Sequence, residues 1–208
     1  VGEYMRGNLF TNTPDILPEM LQNGPRSAFK MRAALAGTLS SLWGMYNGFE
    51  LCEGTPLPGK EEYLDSEKYQ HKVWDWERPG NIKEFIGRLN RIRREQPALQ
   101  EYHNLRFHRA DNDNILLYSK ATADLRNVIL VAVNLDPFHA QEAEIHVPLQ
   151  QLGLRESETY QMHDLLTDRR FFWKGARNYV RLDPHDQPVH ILRLLRWSHR
   201  EQDFDYFI

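Results

Sequence analysis

Disulfide chemistry is closed to this chain, because its 208 residues hold a single cysteine, Cys52. A lone thiol cannot form an internal bridge and suits a reducing compartment, so the sequence predicts a cytoplasmic protein. Long apolar runs are missing as well. No stretch approaches the roughly 18 apolar residues of a membrane-spanning helix, and no signal-peptide pattern is read at the start. Charge of one sign is also scarce: 26 Lys and Arg stand against 29 Asp and Glu, for a net charge of −3. That balance gives no electrostatic reason to expect nucleic acid or an anionic membrane as partner. The nine histidines form no His-x-x-x-His on a predicted helix and have no cysteine pair beside them, so no metal is expected. Isolated histidines such as His163 and His190 read as core or surface groups. Ser40 and Ser41 lack the Gly-x-Ser-x-Gly setting of a hydrolase elbow. Pro58-Gly59-Lys60 lacks the remainder of a phosphate-binding loop, and no cofactor is expected.

What is present is ordinary globular material, with 41% hydrophobic and 12% aromatic residues. A chain of this length buries roughly 70% of its unfolded surface. Asn8 to Leu17 reads as an extended apolar segment that stops at Pro14 and then presents one carboxylate, Asp15. After the Gly24-Pro25 break, Arg26 to Leu42 is rich in Ala, Leu and Met and predicts a largely buried helix. Leu42 to Tyr46 predicts a second strand. Residues 53 to 80 have no period, yet their aromatics argue for an ordered functional loop. The clearest helix follows, with Asn81 at its cap and Glu84 at the capping-box position. Ile82, Phe85, Ile86, Leu89 and Ile92 form its stripe, and Pro97 stops it. From Asn104 the period changes to that of strands. Leu105–Phe107, Ile115–Ser119, Val128–Val133, Ala143–Val147, Thr159–Met162, Arg170–Trp173, Tyr179–Leu182 and Val189–Leu195 predict an antiparallel sandwich. The expected division is residues 1–100 and 101–208. The chain opens at Val1 directly into a strand-like pattern, which predicts a fragment of a longer protein.

Strand, polar tip with an aspartate, helix, and strand with Gly44-x-Tyr46-x-Gly48-x-Glu50 resemble the end of an α-amylase-type glycosidase. In that family the seventh barrel strand ends in Phe-x-x-Asn-His-Asp. Here Phe10-Thr11-Asn12-Thr13-Pro14-Asp15 takes the place of that motif, with Thr13 and Pro14 where Asn and His usually stand. The Asn-Thr-Pro-Asp variant is similar to that of the α-1,4-glucan:maltose-1-phosphate maltosyltransferases. The run from Leu39 to Leu51, Tyr63-Leu64-Asp65-Ser66-Glu67-Lys68-Tyr69, and Arg78-Pro79-Gly80-Asn81-Ile82 support the same resemblance. It is specific over about the first 100 residues and architectural beyond them.

That resemblance implies an α/β plus all-β fold, the C-terminal part of a (β/α)8 TIM barrel followed by an antiparallel β-sandwich. It implies a retaining glycosyltransferase that moves maltosyl units from maltose 1-phosphate to the non-reducing end of an α-1,4-glucan, homodimeric when intact. Asp15 would stabilise the oxocarbenium-like transition state as the third carboxylate, while Lys68 and Tyr69 would bind the donor's second glucose. Nucleophile and general acid lie on earlier strands of such enzymes, so the isolated chain is expected to be inactive. Blander alternatives attach to each residue. Asp15 could merely open a helix, Lys68 could pair with Glu67 at the surface, and Tyr69 could pack. Glu50 is read as architectural, and Trp74 and Trp76 either stack on glucose rings or are partly buried loop aromatics. Other readings of the whole are a hydrolase, maltose isomerase or phosphorylase of the same family, or a non-catalytic carbohydrate-binding module. For the last, Phe171, Phe172 and Trp173 are the candidate aromatics, although consecutive strand residues alternate faces.

Overall fold

The computed structural model describes residues 4–65 and 71–196. Two short strands, β1 (Asn8–Phe10) and β2 (Leu42–Gly44), pair in parallel with Leu9 opposite Trp43. Parallel neighbours need a crossover, and it is supplied by a single turn, α1 (Glu19–Gln22), and the longer α2 (Arg26–Leu39). The predicted helix therefore stops at Leu39 instead of Leu42, because Ser40 turns extended and the next residues enter β2. Alanines 28, 33, 34 and 36 let α2 be buried on most sides.

The third helix, α3 (Lys83–Glu95), packs on α2. A Cβ on Gly37 would lie 2.9 Å from the Leu89 side chain, so that glycine sets how closely the two helices approach. Ile82, Ile86, Leu89 and Ile92 are buried as their spacing predicts. The expected capping box does not form. The Asn81 side chain accepts from Lys83 N at 3.2 Å, while the Asn81 N–H bonds Arg78 O instead of Glu84. Near the other end, Arg93 donates to the carbonyls of Gly37, Ser40 and Ser41. It thereby satisfies acceptors that the end of α2 leaves open.

All eight strands expected after residue 104 are present: β3 (Leu105–His108), β4 (Ile115–Ala121), β5 (Val128–Asn134), β6 (Gln141–His146), β7 (Thr159–Asp164), β8 (Arg170–Lys174), β9 (Arg177–Leu182) and β10 (Val189–Arg196). Six form one antiparallel sheet in the order β3-β4-β5-β10-β7-β8, and β6 pairs with β9 as a separate two-stranded sheet. The result is a β-sandwich with a third layer. Ile129, Val131 and Val133 of β5 face the helices, while Val128, Leu130 and Ala132 face the β6–β9 pair. Period-two alternation puts two apolar sets on the two faces, so every residue of β5 is buried.

The helix-side core joins the earlier and later parts of the chain. Ala28, Phe29, Met31 and Leu89 share one cluster with Tyr118, Val131 and Ile191. Polar links cross the same boundary. Thr38 and Tyr118 hydroxyls meet at 2.5 Å, Ser27 donates to Pro137 O at 2.6 Å, and Asn127 holds Gln96 and Ala98 N. Among the described residues no helix is long and apolar enough to cross a membrane.

Candidate functional site

Asp15 sits at the tip of a tight turn just past the carboxyl end of β1. Thr13 and Ile16 exchange backbone hydrogen bonds at 3.1 and 3.2 Å, with Pro14 and Asp15 as the two central residues. Proline fits the first central position because its ring fixes φ, and Asp15 in the second avoids the left-handed region. The side chain is exposed and makes no hydrogen bond or ion pair among the described residues. The first helical turn after it begins only at Glu19, so Asp15 does not open a helix. A carboxylate on a pinned turn, with no partner among the described residues, is an acceptor available to a ligand.

The turn is held from beneath. Asn12 is buried, and its amide oxygen accepts from Thr11 Oγ1 at 2.8 Å and Tyr46 N at 2.9 Å. Its amide nitrogen donates to the Tyr63 hydroxyl at 2.6 Å, which in turn donates to Glu53 O at 3.2 Å. Asn12 thus ties the tip of β1 to the tip of β2 and to the long loop. Burial pushes the Tyr63 hydroxyl up to about 12, so it stays protonated and keeps that donor role. From α2, Arg32 Nε donates to Thr11 O at 2.9 Å. Leu17, wholly buried, anchors the chain beyond the turn, and its N–H bonds Glu61 O at 2.7 Å. In the sequence Asn12 is a motif position and Tyr63 a motif position and loop aromatic; their positioning role comes from a contact 51 residues apart.

Lys68 and Tyr69 lie outside the described residues. Glu50 accepts from Gly48 N at 3.2 Å, closing a turn in which Gly48 has φ 97°, and its backbone carbonyl receives Ile82 N. It is occupied by local structure. Trp74 lies against Gly48, where a Cβ would come within 2.7 Å of the ring. Glu53 is engaged too: burial pushes its carboxyl up, but hydrogen bonds from Thr55 and Arg78 outweigh this and hold it below the usual range. Burial raises the Cys52 thiol to about 11, which leaves it unreactive.

Elsewhere, Asp111, Glu144 and His146 place potential ligand atoms within 4.8 Å of one another, a grouping that spacing in the sequence could not reveal. Arg177 pairs with both carboxylates and Arg109 with Asp111, so the acidic charge there is already balanced within the protein.

Comparisons with known proteins follow the same lines. The family described as GLGE, C-terminal, matches residues 107–194. The α-1,4-glucan:maltose-1-phosphate maltosyltransferase of Myxococcus xanthus is 56% identical over 207 residues, covering 100% of this chain and 31% of that protein. The protein of the same name from Rhodospirillum rubrum is 52% identical, with 92% of this chain and 28% of that protein covered. The chain thus spans less than a third of the length of these relatives. Among solved structures, the α-amylase of Geobacillus thermoleovorans in complex with acarbose superposes with a TM-score of 0.64 at 15% identity, covering 91% of this chain and 39% of that one. The γ-CGTase of alkalophilic Bacillus clarkii gives 0.60 at 18% identity, covering 91% and 26%. At such identities the likeness is one of fold. The sequence matches run along nearly the whole chain, and by them it belongs to the α-1,4-glucan:maltose-1-phosphate maltosyltransferase family, as a C-terminal segment.

Proposed function

We propose that this chain is the C-terminal part of a retaining maltosyltransferase that builds α-1,4-glucan from maltose 1-phosphate. Residues 1–100 are its last barrel strands and helices, and residues 101–208 its C-terminal sandwich domain. The observation that carries the reading is an unengaged carboxylate, Asp15, held on a buttressed turn at the carboxyl end of a parallel strand. In (β/α)8 barrels the chemistry gathers at that end of the strands. The parallel pair also favours incompleteness. Parallel strands are normally covered on both faces, yet Phe10 and Leu42 are 48% and 52% exposed.

Retention takes two displacements through an oxocarbenium-like transition state. In the assembled enzyme, Asp15 accepts hydrogen bonds from sugar hydroxyls beside the reacting carbon. Those bonds strengthen as positive charge builds there, because a bond to an ionised acceptor is stronger than a neutral one. Lys68 supplies ammonium donors and Tyr69 a hydroxyl and an apolar ring to the donor's second glucose. The nucleophile and general acid belong to the preceding part of the polypeptide, so the isolated chain is inactive. No cofactor enters the reaction. The intact enzyme is a cytoplasmic homodimer acting on maltose 1-phosphate and glucan, without nucleic acid or membrane partners.

The test uses the intact parent protein with maltose 1-phosphate and a maltooligosaccharide acceptor. Phosphate release with glucan elongation is expected, and Asp15→Asn should lower kcat/KM by about a hundred-fold or more, or ~3 kcal/mol. Absence of phosphate release from the parent, or an unimpaired Asp15→Asn protein, removes the reading.

A further inference from the structure

The sandwich carries a cleft of its own, lined by β8, β9 and β10, where β8 and β9 each end a sheet among the described residues. The two strands belong to different sheets and are joined by a short turn in which Gly175 has φ 70°. The cleft measures about 390 Å³, within the roughly 300–1,000 Å³ of small-molecule sites. Phe171 and Trp173 are two apart on β8 and so share one face, with ring centroids 6.4 Å apart and planes tilted by 31°. The alternation that excludes Phe172 from a three-ring platform leaves the half-buried Phe171 on the cleft wall, backed by Trp173, which is largely buried in the sandwich core. Tyr179 on β9 adds a third aromatic, and its hydroxyl donates to Glu142 at 2.6 Å.

Polar groups converge on the same space. His190 lines it, with Nδ1 2.9 Å from Asp164 Oδ2. Asp164 is wholly buried and also accepts from Leu166 N, Ile191 N and the Thr167 hydroxyl. That acceptor engages Nδ1, so Nε2 is the ring nitrogen left to face a ligand. Nothing among the described residues bonds Nε2, and a ligand hydroxyl could hydrogen-bond to it. At the rim, Arg169 and Asp186 stand 3.9 Å apart, and Arg181 and Asp183 3.6 Å. Exposed pairs this long hold each other weakly, so their donors and acceptors remain available. Two arginines and two aspartates also cancel, which disfavours a strongly charged ligand such as a phosphate or a metal ion.

Apolar ring faces, many hydrogen-bonding groups and no net charge match one chemistry, that of a neutral sugar with apolar C–H faces and a hydroxyl rim. We propose that the β8–β9 cleft binds a short segment of α-glucan, with Phe171, backed by Trp173, and Tyr179 against the sugar faces and His190 and the rim side chains on the hydroxyls. The choice of α-glucan over other sugars rests on the functional reading above; the cleft itself does not.

The 208-residue chain, labelled for heteronuclear NMR, is titrated with maltohexaose and separately with cellohexaose. Saturable shifts of the Trp173 indole and of amides in β8 and β9 are expected with the α-linked sugar, and at least tenfold weaker ones with the β-linked sugar. Phe171→Ala should weaken maltohexaose about tenfold. Arg181→Ala, at an exposed position that folding tolerates, should weaken it about threefold. No saturable shift at tens of millimolar, shifts confined to residues 9–46, or equal response to both sugars would overturn the proposal. Loss of cleft binding with phosphate release intact in the parent removes the cleft alone. Cleft binding without phosphate release removes maltosyl transfer alone.

Discussion

Strands β1 and β5 are both apolar, and they meet opposite fates. All seven residues of β5 are buried, with helices on one face and the β6–β9 pair on the other. All three residues of β1 are exposed, and its only strand neighbour among the described residues is β2. Exposed large apolar side chains also concentrate before residue 77, from Tyr4 and Met5 through Leu42 to Val73 and Trp76. The sandwich is a finished structure whose layers satisfy one another. The segment bearing Asp15 has a finished back, where α2 and α3 meet the sandwich, and an uncovered front. Apolar surface of that extent on an ordered turn and strand marks a place where further protein packs. The incomplete barrel proposed above would have that property.

The contrast can be broken by mutation, and the largest effect belongs to the finished part. Leu130→Ala should cost about 2–5 kcal/mol, since it opens a cavity between two filled layers. Leu9→Ala, at a comparable apolar strand position, should change stability by less than about 0.5 kcal/mol in this chain. Urea unfolding of both variants measures the difference. Equal costs would mean that the front of β1 is covered after all.

A second effect tests how tightly the two parts are joined. Lys120 is wholly buried at their junction, with its ammonium donating to Glu101 O at 2.7 Å. Burial first, and then the Arg93 charge, lowers its pKa to about 8 from 10.5. The unfolded chain therefore binds more protons between those values, and this group's contribution rises with pH across the window. Below pH 8 the charged form burdens the fold by roughly 2–3 kcal/mol. Lys120→Met should be more stable than the parent chain at pH 7 by about 1–2 kcal/mol, after loss of one hydrogen bond. That advantage should fade towards pH 10.5. A pH-independent difference would mean that the ammonium is solvated.

An effect of similar size but local reach lies at the site. Asn12→Ala removes bonds to Tyr46 N and the Tyr63 hydroxyl and should cost about 1–2 kcal/mol. It should also speed amide exchange at Thr13 and Ile16 more than in β4 or β5. Uniform change throughout would deny Asn12 its local role.

What the sequence could and could not disclose divides along physical lines. The strands from β3 to β10 were legible because alternation and turn residues are local signals, and the stripe of α3 likewise. The place of Asp15 was legible from its proline and the strand before it. The support was not: Asn12 to Tyr63 and His190 to Asp164 are contacts between distant residues, and no local period announces them. His190 read as a core or surface group and is a buried one, and it is the bond to the buried Asp164 that orients its ring. The capping box at Asn81 and Glu84 had the right residues, yet a turn through Arg78 claims the backbone donor it needs. Local signals specify elements, and tertiary contacts decide which donors remain free.

Hydrogen exchange in this chain and in the intact parent protein tests the central claim most directly. The amides of residues 8–11 and 42–44 should exchange at least about a hundredfold more slowly in the parent, where the strands gain cover, while those of 128–134 should agree within about threefold. Equal exchange of β1 and β2 in the two proteins would contradict an unfinished barrel, and with it the placement of Asp15 at a barrel mouth.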